Sequence, residues 1–194
     1  MNFTKIFKRH YFTNHYKESI NLEKVIRNRT SYKECVSFSN SCHLLIAIFD
    51  EIVINNNLEV NAKSIEIFGI DNSRNHAIKK FLLNFRNNNL MNIVNRRDFF
   101  IHLNKYSETL INNHSSIIIK NNGEILGIIL DFDGVTELSS GAILLTNNKL
   151  LSDIIRCSRS SYGRDKVIDI HISANGRFSE FQALILANYI NQLK

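Results

Sequence analysis

The stretch from Gly141 to Asn191 limits the fold more than any other. It reads G-A-I-L-L-T-N-N-K-L-L-S-D-I-I-R, then R-S-S-Y-G-R, then S-A-N-G-R-F-S-E-F-Q-A-L-I-L-A-N-Y-I-N. A short apolar run bounded by turn residues reads as a buried strand. The residues after Thr146-Asn147-Asn148 switch to helical spacing, and a second helical stretch follows a glycine-containing loop. A strand that feeds helices in this order points to an α/β protein, with helices covering a sheet.

The rest of the chain extends that pattern. Residues 20–33 have helical spacing, with Ile20, Leu22, Val25 and Ile26 on one side. Glu34–Phe38 reads as a short strand, Ser39–Cys42 as a turn with helix-capping residues, and 43–54 as an apolar helix. Strands are expected within 58–70, 89–94, 115–119 and 125–130, and helices over 72–86 and 98–111. Lys120-Asn121-Asn122-Gly123 has hairpin chemistry. The alternation predicts a largely parallel sheet flanked by helices. His76 lies in the 72–86 stretch without a metal-ligand partner at suitable spacing.

Length and 44% hydrophobic content suit one domain with a real core. Its three cysteines, Cys35, Cys42 and Cys157, are scattered and include no C-x-x-C pair. A zinc knuckle and a disulfide framework are therefore not expected, and no metal is implied. The N-terminus lacks an apolar signal core, and no apolar run is long enough to span a bilayer, so a cytoplasmic location is expected.

The net charge of +6 is local. Residues 1–33 hold eight basic and two acidic residues, and the remainder is neutral. Residues 1–19 interleave Phe3, Phe7, Tyr11, Phe12 and Tyr16 with Lys5, Lys8, Arg9 and Lys17. Such an arm can bind nucleic acid or an anionic surface. No nucleic-acid module motif accompanies it, so aromatics packed on the domain beside solvated charges are the favoured reading, and nucleic acid is not the expected partner.

Two strand ends carry candidate chemistry. The turn Ser39-Asn40-Ser41-Cys42 precedes a helix, whose first amides can hold an anion; the same serines can instead cap their own helix. The apolar run 125–130 ends in Asp131-Phe132-Asp133-Gly134, which places an acid where α/β proteins keep functional groups, or simply a solvated turn.

In its motif order the chain resembles the large domain of the DegT/DnrJ/EryC1/StrS aminotransferases. The likeness rests on T-N-N, Arg156, Gly163, Asn175, Arg177, Ser179, Glu180, Gln182 and Ala183, with a fainter echo in C-V-S-F-S-N-S-C-H-L-L-I-A-I-F. That family consists of fold-type-I enzymes that use pyridoxal phosphate (PLP), mostly to aminate nucleotide-linked keto-sugars. The resemblance implies a trimmed version of that large domain over residues 20–194, with 1–19 as a preceding segment and no C-terminal small domain. It implies a cofactor site of Asn40, Ser41 and Cys42 at the phosphate, Asp131 at the pyridine nitrogen, and Asn175 reaching a neighbouring subunit's phosphate. It also implies a homodimer, or a heteromer with a related aminotransferase.

The chain departs from the family at three positions. Ser41 and Cys42 stand where the family has glycine and threonine. Only Phe132–Ser140 separate Asp131 from the G-A-I-L-L-T strand, and this interval contains no Schiff-base lysine. An aldimine cycle needs that amine. The resemblance therefore implies a degenerate, catalytically impaired aminotransferase-like protein. One alternative is a working sugar aminotransferase subunit, of cell-surface polysaccharide or antibiotic sugar biosynthesis, whose lysine comes from another chain. A second is a binding module that uses the basic arm. The last helix presents Phe181, Leu184, Ile185, Ala187 and Tyr189, an apolar surface expected to need a partner.

Overall fold

Short β-branched runs and two amphipathic helix pairs assemble around one sheet in the computed structural model, which describes residues 17–50, 65–68, 80, 92–94, 115–133, 135, 140–159 and 176–193. The strands are β1 (Glu34–Phe38), β2 (Ile65–Phe68), β3 (Asn92–Val94), β4 (Ser115–Asn121), β5 (Glu124–Asp131) and β6 (Ala142–Thr146). Their order across the sheet is β1-β6-β5-β4-β2-β3. The helices are α1 (Lys17–Arg29), α2 (Ser41–Phe49), α3 (Lys149–Arg159) and α4 (Glu180–Gln192). Among the described residues, no helix is long and apolar enough to cross a membrane.

The sheet is not mostly parallel. Every neighbouring pair is antiparallel except β2–β3. The hairpin at Asn122-Gly123 accounts for one of the antiparallel pairs. Both residues have positive φ, 51° and 81°, as a two-residue primed turn requires. Such a turn can join only antiparallel strands, so β4 and β5 run against each other. A register shift between Ile119 and Lys120 then bends β5 beside the hairpin.

Alternation along the strands sorts side chains to two faces. Val36, Phe38, Ile117, Ile119, Ile129, Ala142 and Leu144 meet α2 and α3. Cys35, Ile118, Ile128, Leu130, Ile143 and Leu145 meet α1 and α4 on the other face. The central strand β6 is buried throughout, which explains its unbroken apolar sequence.

One side of α4 is covered within the chain. Ala183, Leu186, Ala187 and Ile190 pack with Leu22 and Ile26 of α1 in the second core. Glu180, at the start of α4, reaches across to α1. Its carboxylate accepts from the amides of Glu18 and Ser19 at 2.8 and 3.1 Å, and from the Ser19 hydroxyl at 2.7 Å. A carboxylate at the first amides of α1 suits that end of the helix electrostatically. At the other end, Arg29 donates to the carbonyl of Ile190 at 2.7 Å.

β1 lies at the edge of the sheet, and its outward polar groups are closed by side chains. Arg156 donates to the Cys35 carbonyl at 2.7 Å, and Arg159 to the Ser37 carbonyl at 2.8 Å. The Ser37 amide donates to Glu23 of α1 at 2.9 Å. Glu23 also accepts from Arg156 at 2.7 Å and Arg159 at 2.8 Å. A buried Glu–Arg–Arg cluster thus replaces a neighbouring strand and leaves no ladder for another chain to join.

Candidate functional site

The register places several predicted residues at one end of the sheet. Phe38 pairs with Ala142, and Ala142 pairs with Asp131. The turn after β1 and the end of β5 are therefore two strand spacings apart, about 10 Å. The chain approaching β6 runs between them, through Ser140 and Gly141.

At the turn, Asn40 is the N-cap of α2. Its backbone is extended, and its side-chain oxygen accepts from the His43 amide at 2.8 Å. Neither serine performs that task. Ser41 is fully buried, and its hydroxyl has no hydrogen-bond partner. The Ser39 hydroxyl is buried and unpartnered as well. Cys42 is half-buried against the first core, and burial raises its thiol pKa above the usual value. A raised thiol is a neutral, weak donor at physiological pH.

At the end of β5, Asp131 is only 3% exposed. Its Oδ1 accepts from the Asp133 amide at 3.0 Å, so the carboxylate braces its own turn. Asp133 in turn accepts from the Gly141 amide at 2.8 Å, and the Phe132 amide donates to the Gly141 carbonyl at 2.9 Å. Gly141 has φ +129°, and a Cβ there would lie 1.9 Å from the Phe178 ring. Glycine is required on both counts.

Asn175 lies outside the described residues. Its neighbour Gly176 accepts from the Ser39 amide at 2.9 Å and donates to the Arg159 carbonyl at 3.3 Å. Gly176 thus ties the turn after β1 to the end of α3. A Cβ at Gly176 would fall 2.1 Å from the Phe38 ring, so the close approach depends on a bare backbone. Of the predicted residues, Asn40, Ser41, Cys42 and Asp131 share one sheet end. The structure adds Gly141, Gly176 and Asp133, whose part is set by the antiparallel register and was not visible in spacing.

Other residues of the motif set have structural duties. The Thr146 hydroxyl donates to the Leu126 carbonyl at 2.6 Å and accepts from the Asn148 amide at 3.0 Å. Asn148 accepts from the Leu151 amide at 3.0 Å at the start of α3, and Asn147 accepts from the Lys33 amide at 2.9 Å. Gln182 donates to the Ser140 hydroxyl, holding the chain just before β6.

The lysines fall elsewhere. Lys120 is opposite Ile125, beside the hairpin. Lys149 follows β6, with its amine 2.7 Å from Asp153 and 3.6 Å from Glu34. Both lie at the end of the sheet opposite Asp131. Lys17, Lys24 and Lys80 are exposed, and α1, which carries the first two, covers the other face. Among the described residues, no group of acids, cysteines and histidines is arranged to hold a metal ion.

These residues do not fit PLP held as a Schiff base. Ser39 and Ser41 hold buried hydroxyls with no partner among the described residues, Asp131 holds a buried carboxylate, and no described lysine stands between them.

No protein-family model matches the chain, and no curated protein matches it. Among solved structures, the chain is similar to Helicobacter pylori PseC, an aminotransferase involved in the biosynthesis of pseudoaminic acid. The TM-score is 0.60 at 13% identity, over 97% of this chain and 61% of that chain. The likeness shows a shared fold, and this chain spans 61% of the neighbour's length.

Proposed function

We propose that this protein is a degenerate aminotransferase-like protein, catalytically impaired, that works as the partner of a complete homologue. The fold shared with PseC supports the relationship. The position of the lysines carries the loss of turnover. Those nearest in sequence to the expected place, Lys120 and Lys149, sit at the wrong end of the sheet. Transamination needs an amine that forms and releases an imine and moves a proton at the substrate carbon. Neither Asp131 nor the 39–42 turn can do this.

What the turn retains is the capacity to bind. Ser39 and Ser41 hold buried hydroxyls that nothing among the described residues satisfies, and such groups are rare unless water or a ligand meets them. A phosphate-bearing cofactor resting there without a covalent bond is consistent with the resemblance to PLP enzymes. The chain's own residues would then hold an anion at the start of α2 and a cationic ring nitrogen at Asp131.

The test is an amino-transfer assay with a nucleotide-linked keto-sugar, an amino-acid donor and added PLP. The chain alone is expected to give no product above the protein-free control. Adding a lysine-bearing homologue is expected to give a mixed complex by light scattering. Turnover by the chain alone, or a mixture that stays two separate species, would contradict the reading.

A further inference from the structure

A cleft of about 360 Å³ opens beside the outer edge of β1, between α1 and α3. It is separate from the cradle at the start of α2, which lies beyond the end of the same strand. Four cations line it: Lys24 and Arg27 from α1, Arg156 and Arg159 from α3. One carboxylate, Glu23, faces them and is already shared by both α3 arginines. The cleft is therefore cationic.

The cations divide into two kinds. Arg159 is buried and fixed to Glu23 and the Ser37 carbonyl. Arg156 is fixed by its donations to Glu23, Cys35 and Ser152. These use its Nε–H and one hydrogen on each terminal nitrogen, leaving one N–H on each of Nη1 and Nη2. Its guanidinium is thus rigidly placed yet still able to donate.

Lys24 and Arg27 are one turn apart on α1, on the face that lines the cleft. Among the described residues neither has an ion pair. Arg156 is paired with Glu23 at 2.7 Å and lies 3.6 Å from Glu34, so Lys24 and Arg27 carry the uncompensated charge, and their mutual repulsion is relieved when an anion enters. Cys35 lines the cleft too, and burial with the Glu23 charge raises its thiol well above the usual value, so it adds no negative charge. Ile20, 57% exposed, adds an apolar surface to the lining.

We propose that this cleft binds a small organic phosphate, with the phosphoryl oxygens on Lys24, Arg27 and Arg156 and the organic part against Ile20. A phosphate monoester is a dianion with several acceptor oxygens, which matches spare donors on three separate side chains. The volume is at the lower end of the range for small-molecule sites, which suits a mononucleotide or a sugar phosphate rather than a polymer.

The full chain labelled with ¹⁵N is titrated with uridine 5′-monophosphate and, separately, with inorganic phosphate. The nucleotide is expected to shift the amides of Lys24, Arg27 and Cys35 and the Nε–H of Arg156. K24Q/R27Q should weaken its binding by at least about tenfold while the unfolding midpoint of the free protein stays in place. Inorganic phosphate should shift the same signals with lower affinity. No shift at millimolar nucleotide, shifts confined to Ser41–His43, or undiminished binding by K24Q/R27Q would overturn the proposal. So would equal affinity for inorganic phosphate, or binding of single-stranded RNA without binding of the mononucleotide.

Discussion

The outer edge of β1 and the turn that follows it are both polar and both buried, yet they are built in opposite ways. Along the edge, the Cys35 carbonyl, the Ser37 amide and the Ser37 carbonyl each meet a charged side chain. At the turn, the hydroxyls of Ser39 and Ser41 have no hydrogen-bond partner among the described residues. Burying a polar group without a partner costs free energy, so the first region stabilises the fold and the second works against it. A region that destabilises the fold is where binding is to be sought. The edge braces the strand, and the turn is where the proposed ligand site lies.

The contrast can be broken from either side. The largest effect is expected at the edge. Arg159→Ala strands Glu23 and the Ser37 carbonyl in a site only 3% exposed at the arginine, and should cost about 3–5 kcal/mol in urea unfolding. A loss below about 1 kcal/mol would mean the cluster is no more than a surface pairing. Next is Gly141→Ala, which forces a left-handed φ and a clash with Phe178, and should cost about 3 kcal/mol by the same measurement.

A pH effect of intermediate size comes from Tyr32, just before β1. Burial pushes its hydroxyl up to about 12 from 10.0. A group with a raised folded pKa contributes fully below its unfolded value, and that stability is lost as the pH climbs through the folded value. The expected loss is at most about 2 kcal/mol between pH 10 and 12, and Tyr32→Phe should flatten it. An alkaline profile unchanged in the variant would assign the loss to other groups. The smallest effect is Ser41→Ala. With no ligand it should be neutral or stabilise by up to about 1 kcal/mol, because no hydrogen bond is lost. A clear destabilisation would show that the hydroxyl has a partner and that the contrast with the edge is false.

Most elements were legible in the sequence. β1, β5, β6 and the last two helices fall where periodicity and turn residues place them. The hairpin was legible too, and it held the information that overturned the parallel sheet. Strand–helix alternation argued for parallel strands, whereas Asn122-Gly123 permitted only an antiparallel pair. A local turn with fixed geometry outranks a global pattern.

The convergence of the 39–42 turn with Asp131 was readable only through a resemblance, because it depends on register across β6. Arg159 and Glu23 gave no sign of their part. On a helix, a charge that bridges to an edge strand has the same spacing as one facing water. Part of the apolar surface of α4 is covered by α1, a helix of mixed sequence, which spacing alone did not show; Phe181 and Leu184 remain half-buried. Asn175 and the helices expected over 72–86 and 98–111, with His76, lie outside the described residues.

The proposed loss of turnover requires that no lysine of this chain, inside or outside the described residues, forms a Schiff base with the cofactor. The direct measurement is to incubate the purified protein with PLP, reduce with borohydride and determine the intact mass. The account predicts no stoichiometric pyridoxyl adduct and no cofactor absorbance that survives reduction and desalting. A gain of one pyridoxyl group, mapped to a single lysine, would contradict it and identify the amine of a working aminotransferase.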